Sequence, residues 1–135
     1  MYVGSLGSIL FMTSSRVVNT FHDYSRESSG RWAKHEIIGE KPVMEFLGPD
    51  TEKISFKMLL RRDQGISPKE ELKQLREYRD TGAVLPLIIG GDVVGDNFWV
   101  VESIGEAVNY WDSLGGILSV SVDVSLSEYT ERLVV

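Results

Sequence analysis

Cysteine is absent from this 135-residue chain. Without thiols there can be no disulfide framework, thiolate metal site or cysteine nucleophile, and stability must come from packing or assembly. Histidine is scarce. His22 and His35 fall on different predicted strands with no Asp or Glu at a metal-ligand spacing, so they read as exposed or hydrogen-bonded rings rather than ligands. Long hydrophobic runs are missing too. The opening MYVGSLGSILFMTSS has no basic region ahead of its apolar residues, and ILFM is far shorter than a membrane span, so neither an export signal nor direct membrane binding is expected. Positive charge is in the minority. Fourteen basic side chains stand against twenty acidic ones, a formal charge of −6, which disfavours nonspecific attraction to nucleic acid. The single basic doublet, Arg61 with Arg62, reads as a solvated strand end.

Catalytic and cofactor signatures are equally thin. LPLIIGGDVVGDN runs an apolar strand into glycines, but strand-like residues follow where a phosphate loop needs a helix N-terminus, so the glycines read as a tight connection. Asp92 and Asp96 lack the further oxygen ligands of a calcium loop. No serine lies in a G-x-S-x-G context. The residues therefore point to no enzyme, no cofactor and no metal.

What is present suits one globular domain spanning residues 1–135. Hydrophobic residues make up 42% and charged residues 25%, ordinary values for a chain that buries a single core. GGILSVSVDVSLSEYT, residues 115–130, sets Leu118, Val120, Val122, Val124 and Leu126 against Ser119, Ser121, Asp123, Ser125 and Ser127. Alternate strand residues point to opposite faces, so one face is buried and the other lined with small hydroxyls. Serine has poor strand preference, so a wetted channel wall or a partner surface is the reason to look for. KISFKMLLRR repeats the pattern with Ile54, Phe56, Met58 and Leu60 on the buried side.

SILFMT and RVVNTFH are predicted to pair as a hairpin, and DYSRESSGR to form an exposed loop. RWAKHEIIG is a strand whose mixed pattern suggests that both faces meet protein. KPVMEFLGPD is a strand ended by a Gly48-Pro49-Asp50 turn. SPKEELKQLREYRDTG predicts the one helix: Ser67 as cap, Pro68 in the first turn, Glu70 closing a capping box, Gly82 ending it, and Leu72, Leu75 and Tyr78 on one face. VLPLII should be an edge strand or start at Pro86. NFWVVESI and EAVNYW are two further strands, and DSLGG turns into the serine-faced strand. The fold class is α+β, mainly antiparallel sheet, as an open sheet or a barrel, with one amphipathic helix.

Phe98, Trp99, Tyr110 and Trp111 read as core aromatics rather than a base-stacking platform. Tyr24, Arg26, Arg31 and Trp32 lie in or beside a polar loop that does not need them, and Trp, Tyr and Arg favour interface hot spots, so these four are the candidate interaction residues.

The ordered set MYVGSLGSILF, RWAKHEIIGEKPVMEFLGP, ISFKMLL, SPKEELKQLREYRDTGAVLPLIIGG, GDNFWVVESIGE and VSLSEY resembles the GpU family of tail proteins from Peduovirus-type phages with contractile tails. The resemblance covers nearly the full chain. It implies a non-enzymatic virion protein, shared with phage-derived bacteriocin particles and assembled in the bacterial host cytoplasm. It further implies a six-fold ring continuing the tail tube toward the baseplate hub, near the tape-measure protein and a small LysM-like tail protein. On that reading Ser119, Ser121, Asp123 and Ser125 face a lumen through which DNA passes without a specific binding site. The competing readings are a tail terminator at the head-proximal end, a small-molecule-binding β-barrel built on Trp99, Tyr110 and Trp111, and, last, a hydrolase using Asp92, Asp96 and His35.

Overall fold

The computed structural model describes residues 2–12, 21–62 and 67–130. Ten strands and one helix occur among them, all strand pairs antiparallel, in three separate sheets.

The largest sheet holds the two alternating segments. β6 (Lys53–Arg61) and β10 (Ile117–Tyr129) pair from Ser127↔Lys53 to Ser119↔Arg61. Ile54, Phe56, Met58 and Leu60 of β6 lie beside Val120, Val122, Val124 and Leu126 of β10, and all eight are buried. β3 (Phe21–Glu27) flanks β6, and β9 (Phe98–Trp111) flanks β10, giving the order β3-β6-β10-β9. NFWVVESI and EAVNYW are thus one strand of 14 residues, bent by a register shift opposite Ser125/Leu126. A bulge absorbs the irregularity that looked like a break in the sequence.

α1 (Pro68–Thr81) covers the apolar face, packing on β9, β10 and β6. Leu72 and Leu75 are buried and Tyr78 is half-buried against the same core. Gly82 ends the helix in the left-handed conformation (φ 66), its amide bonded to the Tyr78 carbonyl. At the other end Ser67 has extended backbone but forms no side-chain cap bond, so the expected capping box is not made. Pro68 occupies the first turn, and the Glu71 amide reaches the Ser67 carbonyl at 3.0 Å.

A second sheet, ordered β2-β1-β7-β8, closes the other side of the core. It contains β1 (Tyr2–Leu6), β2 (Ile9–Met12), β7 (Leu87–Ile89) and β8 (Asp92–Val93). Pro86 stands just before β7, where the missing amide costs no ladder bond. Gly90 and Gly91 (φ 64 and 84) join β7 to β8 in a two-residue turn that needs positive φ at both positions, so the glycines serve a hairpin. Tyr78 Oη binds the Ser8 amide (3.1 Å) and hydroxyl (2.7 Å), fastening the β1–β2 turn to the helix.

Among the described residues β2 pairs with β1, and most of RVVNTFH, its predicted hairpin partner, lies outside them. Residues 16–20 lie outside the described residues, but Phe21 and His22 pair with Met58 and Lys57 of β6. DYSRESSGR is likewise not a loop: it supplies most of β3 and the start of β4 (Gly30–Ile37), with only Ser28 and Ser29 between them. β3 is an edge strand held by ladder bonds to β6, so it forms without the apolar alternation that makes an inner strand legible. No sheet closes into a barrel among the described residues.

Candidate functional site

The third sheet is a two-stranded arm, β4 with β5 (Glu40–Pro49). Its strands pair from Gly30↔Pro49 to Ile37↔Glu40, so Gly48 and Pro49 continue the ladder where the sequence predicted a turn. The chain then passes through residues 50–52 into β6, in the large sheet, with the Asp50 amide bonded to the Ser29 carbonyl (2.9 Å) at the arm's base. Pro42 and Pro49 can sit within β5 because each strand of a two-stranded sheet has a free side that needs no donor.

The arm packs broadly on nothing else in the described chain. All of β4 except Ala33 is exposed, as is all of β5 except Pro42 and Gly48. Exposed there are Trp32, Ile37, Val43, Met44, Phe46 and Leu47, with Ile38 wholly in solvent at the tip. The expectation that both faces of RWAKHEIIG meet protein therefore fails within one subunit. An isolated hairpin is marginal in water, and this one is held by local contacts. Trp32 and Phe46 form a tilted ring pair with centroids 5.0 Å apart. His35 and Glu45 are bonded at 2.8 Å.

The structure divides the four sequence-predicted interaction residues between two places. Arg31 and Trp32 belong to the arm, whereas Tyr24 and Arg26 belong to β3. Arg26 is ion-paired to Glu52 at the junction between arm and body. Partial burial there raises the Tyr24 hydroxyl above its ordinary pKa, with Arg26 opposing the shift and Glu52 adding to it. Met44, Phe46, Val43, Ile38 and Leu47 were missed. For all but Ile38 the signal was the non-alternating VMEFL, residues 43–47, which suits neither a half-buried strand nor a solvated one.

The outward face of the large sheet carries the hydroxyls. Asp123 is exposed, and Ser121 and Ser125 are half-exposed. Their partners on β9 are small: Ser121 lies opposite Ala107, Asp123 opposite Gly105, and Ser125 opposite Ser103. Asn109 Nδ2 donates to Ser121 Oγ (3.0 Å), Ser25 and Ser55 hydroxyls share a bond (2.7 Å), and Ser127 donates to Glu102. Lys53 pairs with Glu102 (4.0 Å) and Lys57 with Asp23 (3.9 Å). Charges and hydroxyls thus satisfy one another across a face with few bulky groups. Ser119 differs. Register shifts on both sides of it break the alternation, and it is 8% exposed beside the buried Val120.

At the end of the large sheet away from the arm, Leu59, Arg61, Arg62, Val108, Tyr110 and Leu118 line a groove of about 970 Å³ together with Asn109 and Ser119. Arg62 is fixed there by Asp112 (3.1 Å) and by the Ile117 carbonyl (3.0 Å). The Asp112 carboxyl is held below the usual range by the Gly116 and Leu114 amides and then by Arg62. Of the aromatics expected in the core only Trp99 is there, fully buried with Nε1 donating to the Val94 carbonyl (2.9 Å). Phe98, Tyr110 and Trp111 are exposed, and Tyr110 and Trp111 sit at the far end of β9 from Trp99, so Trp99, Tyr110 and Trp111 do not line one pocket. Among the described residues no three His, Asp or Glu side chains gather in a way that could hold a metal ion.

Comparison with the curated proteins finds no match. A family model described as Phage P2 GpU, by contrast, matches residues 7–131, which takes in the helix, the arm and both strands of the serine-faced hairpin. The chain belongs to the Phage P2 GpU family, a family of phage tail structural proteins.

Proposed function

We propose that the protein forms a ring at the junction of tube and baseplate in a contractile tail, joining the tail tube to the hub. The observation that carries this reading is the β4–β5 arm. A hairpin with apolar side chains exposed on both faces, and no other described element packed broadly against them, gains further stability from other subunits. The hydroxyl-rich outer face supports the second half of the reading. With Ser121, Asp123 and Ser125 on the lumen side of a six-fold ring, the wall offers DNA mutually satisfied polar groups and no basic cluster, so the polymer passes without sticking. Assembly takes place in the host cytoplasm, beside the tape-measure and LysM-like tail proteins.

The test uses the arm. Trp32→Ala with Phe46→Ala should leave the chain folded by circular dichroism yet absent from purified tails. Tails that take up the double variant at the normal level would remove the arm from assembly. Crosslinks from wild-type protein in whole particles then locate the ring: partners from the hub support the baseplate end, and partners from the head-completion proteins would move it to the head-proximal end.

A further inference from the structure

The arm and the groove lie at opposite ends of the large sheet. The arm springs from the Lys53 end of β6, and the groove opens at the Arg61 end. Nine strand residues separate those ends by about 26 Å, and the eight residues of β4 carry the tip about 23 Å from its base, at about 3.3 Å per residue. Two unlike surfaces at opposite ends of one molecule meet most simply when copies follow one another head to tail.

Their chemistry also matches. The tip reads Glu36-Ile37-Ile38-Gly39-Glu40, two exposed isoleucines flanked by carboxylates. The groove presents Leu59, Val108 and Leu118 with Arg61 and Arg62 alongside, and Arg62 is already oriented by Asp112. Apolar side chains entering an apolar groove provide the affinity, while carboxylates meeting guanidinium groups set direction and register. Strand addition along β5 is discouraged by Pro42 and Pro49, so the tip engages through side chains.

We propose that the tip of the arm, residues 36–40, seats in the groove lined by Leu59, Arg61, Arg62, Val108, Tyr110 and Leu118 of the next copy of this chain. This rests on the ring reading above and names its contact. The interface is heterologous: each copy gives a tip and receives one, so the contact propagates until the ring closes.

The absence of cysteine from the chain makes the test clean. Ile38→Cys and Leu118→Cys both replace exposed side chains, so each variant should fold. In particles built with the double variant, a short bis-maleimide should yield a ladder of covalent multimers on a denaturing gel. Particles built with an equal mixture of the two single variants should give covalent dimers and nothing larger. A dimer from Ile38→Cys alone would mean that arms meet arms, and would overturn the proposal. So would particles that contain the double variant but give no ladder, an outcome that leaves the ring reading standing. Wild-type protein missing from purified particles would instead remove the ring reading itself, and this contact with it.

Discussion

β6 and β4 are strands of similar length, nine and eight residues, each paired antiparallel along its length, yet they have opposite relations to water. Every second residue of β6 is buried and the others face solvent. In β4 nothing is buried and the apolar residues fall on both faces. The difference lies in what stands behind each strand. A helix and a second sheet cover the β6 face, whereas no other described element packs broadly on either side of the β4–β5 pair. Alternation records burial within the chain, and its loss beside persistent large apolar residues records apolar surface that the described chain leaves uncovered.

The sharpest way to break this contrast is to truncate one tryptophan from each region. Trp99→Ala should destabilise the isolated chain by about 3–5 kcal/mol in urea denaturation, because the ring is fully buried and its indole N–H is bonded. Trp32→Ala should cost about 1 kcal/mol or less, the value of an exposed ring pair. Equal losses would mean that the arm belongs to the cooperative core and the contrast is false.

The two faces of β10 give a smaller effect of the same kind. Val122→Ala should cost on the order of 2 kcal/mol through the void it leaves, while Ser121→Thr should stay within about 0.5 kcal/mol of wild type. A marked loss at Ser121 in the isolated chain would show a packed face where a wetted one is expected.

Acid titration addresses the groove. The folded-state pKa of Asp112 is depressed, so its contribution is present above the ordinary carboxylate range and is lost as pH falls through the folded value. Wild type should therefore be more stable than Asp112→Ala at neutral pH, and the two should converge in acid. A gap that persists in acid would separate the β9–β10 turn from that carboxylate.

The smallest effect belongs to the helix start. The capping pattern S-P-K-E leads one to expect a loss of about 1 kcal/mol for Ser67→Ala. With no side-chain cap bond at Ser67, the loss should stay below about 0.5 kcal/mol. A full capping penalty by thermal melting would mean that the bond forms in solution.

Much of the body was legible because local chemistry and burial agree there. Ile54 to Leu60 and Val120 to Leu126 alternate, Leu72 and Leu75 share a helix face, and Gly82 marks the helix end. Where the two part, reading failed. Ser25, Arg26 and Glu27 look like loop residues, yet the ladder to β6 makes them strand. Tyr110 and Trp111 look like core residues, yet β9 runs past the core and leaves them in solvent. Tyr24, Arg26, Arg31 and Trp32 are near neighbours in sequence, but the step from β3 to β4 moves the chain between sheets and divides them.

The amino-acid order alone therefore determined the helix, the two alternating strands β6 and β10, the buried face of each and the family, since periodicity and motif order are properties of the chain itself. The tertiary structure alone decided that β4 and β5 leave the body as an arm and that a groove opens at the far end of the sheet. It also decided that Ser119 turns inward while Ser121 does not. Each depends on which elements lie against which, on register shifts and on uncovered faces, and those are set by contacts between residues distant in sequence.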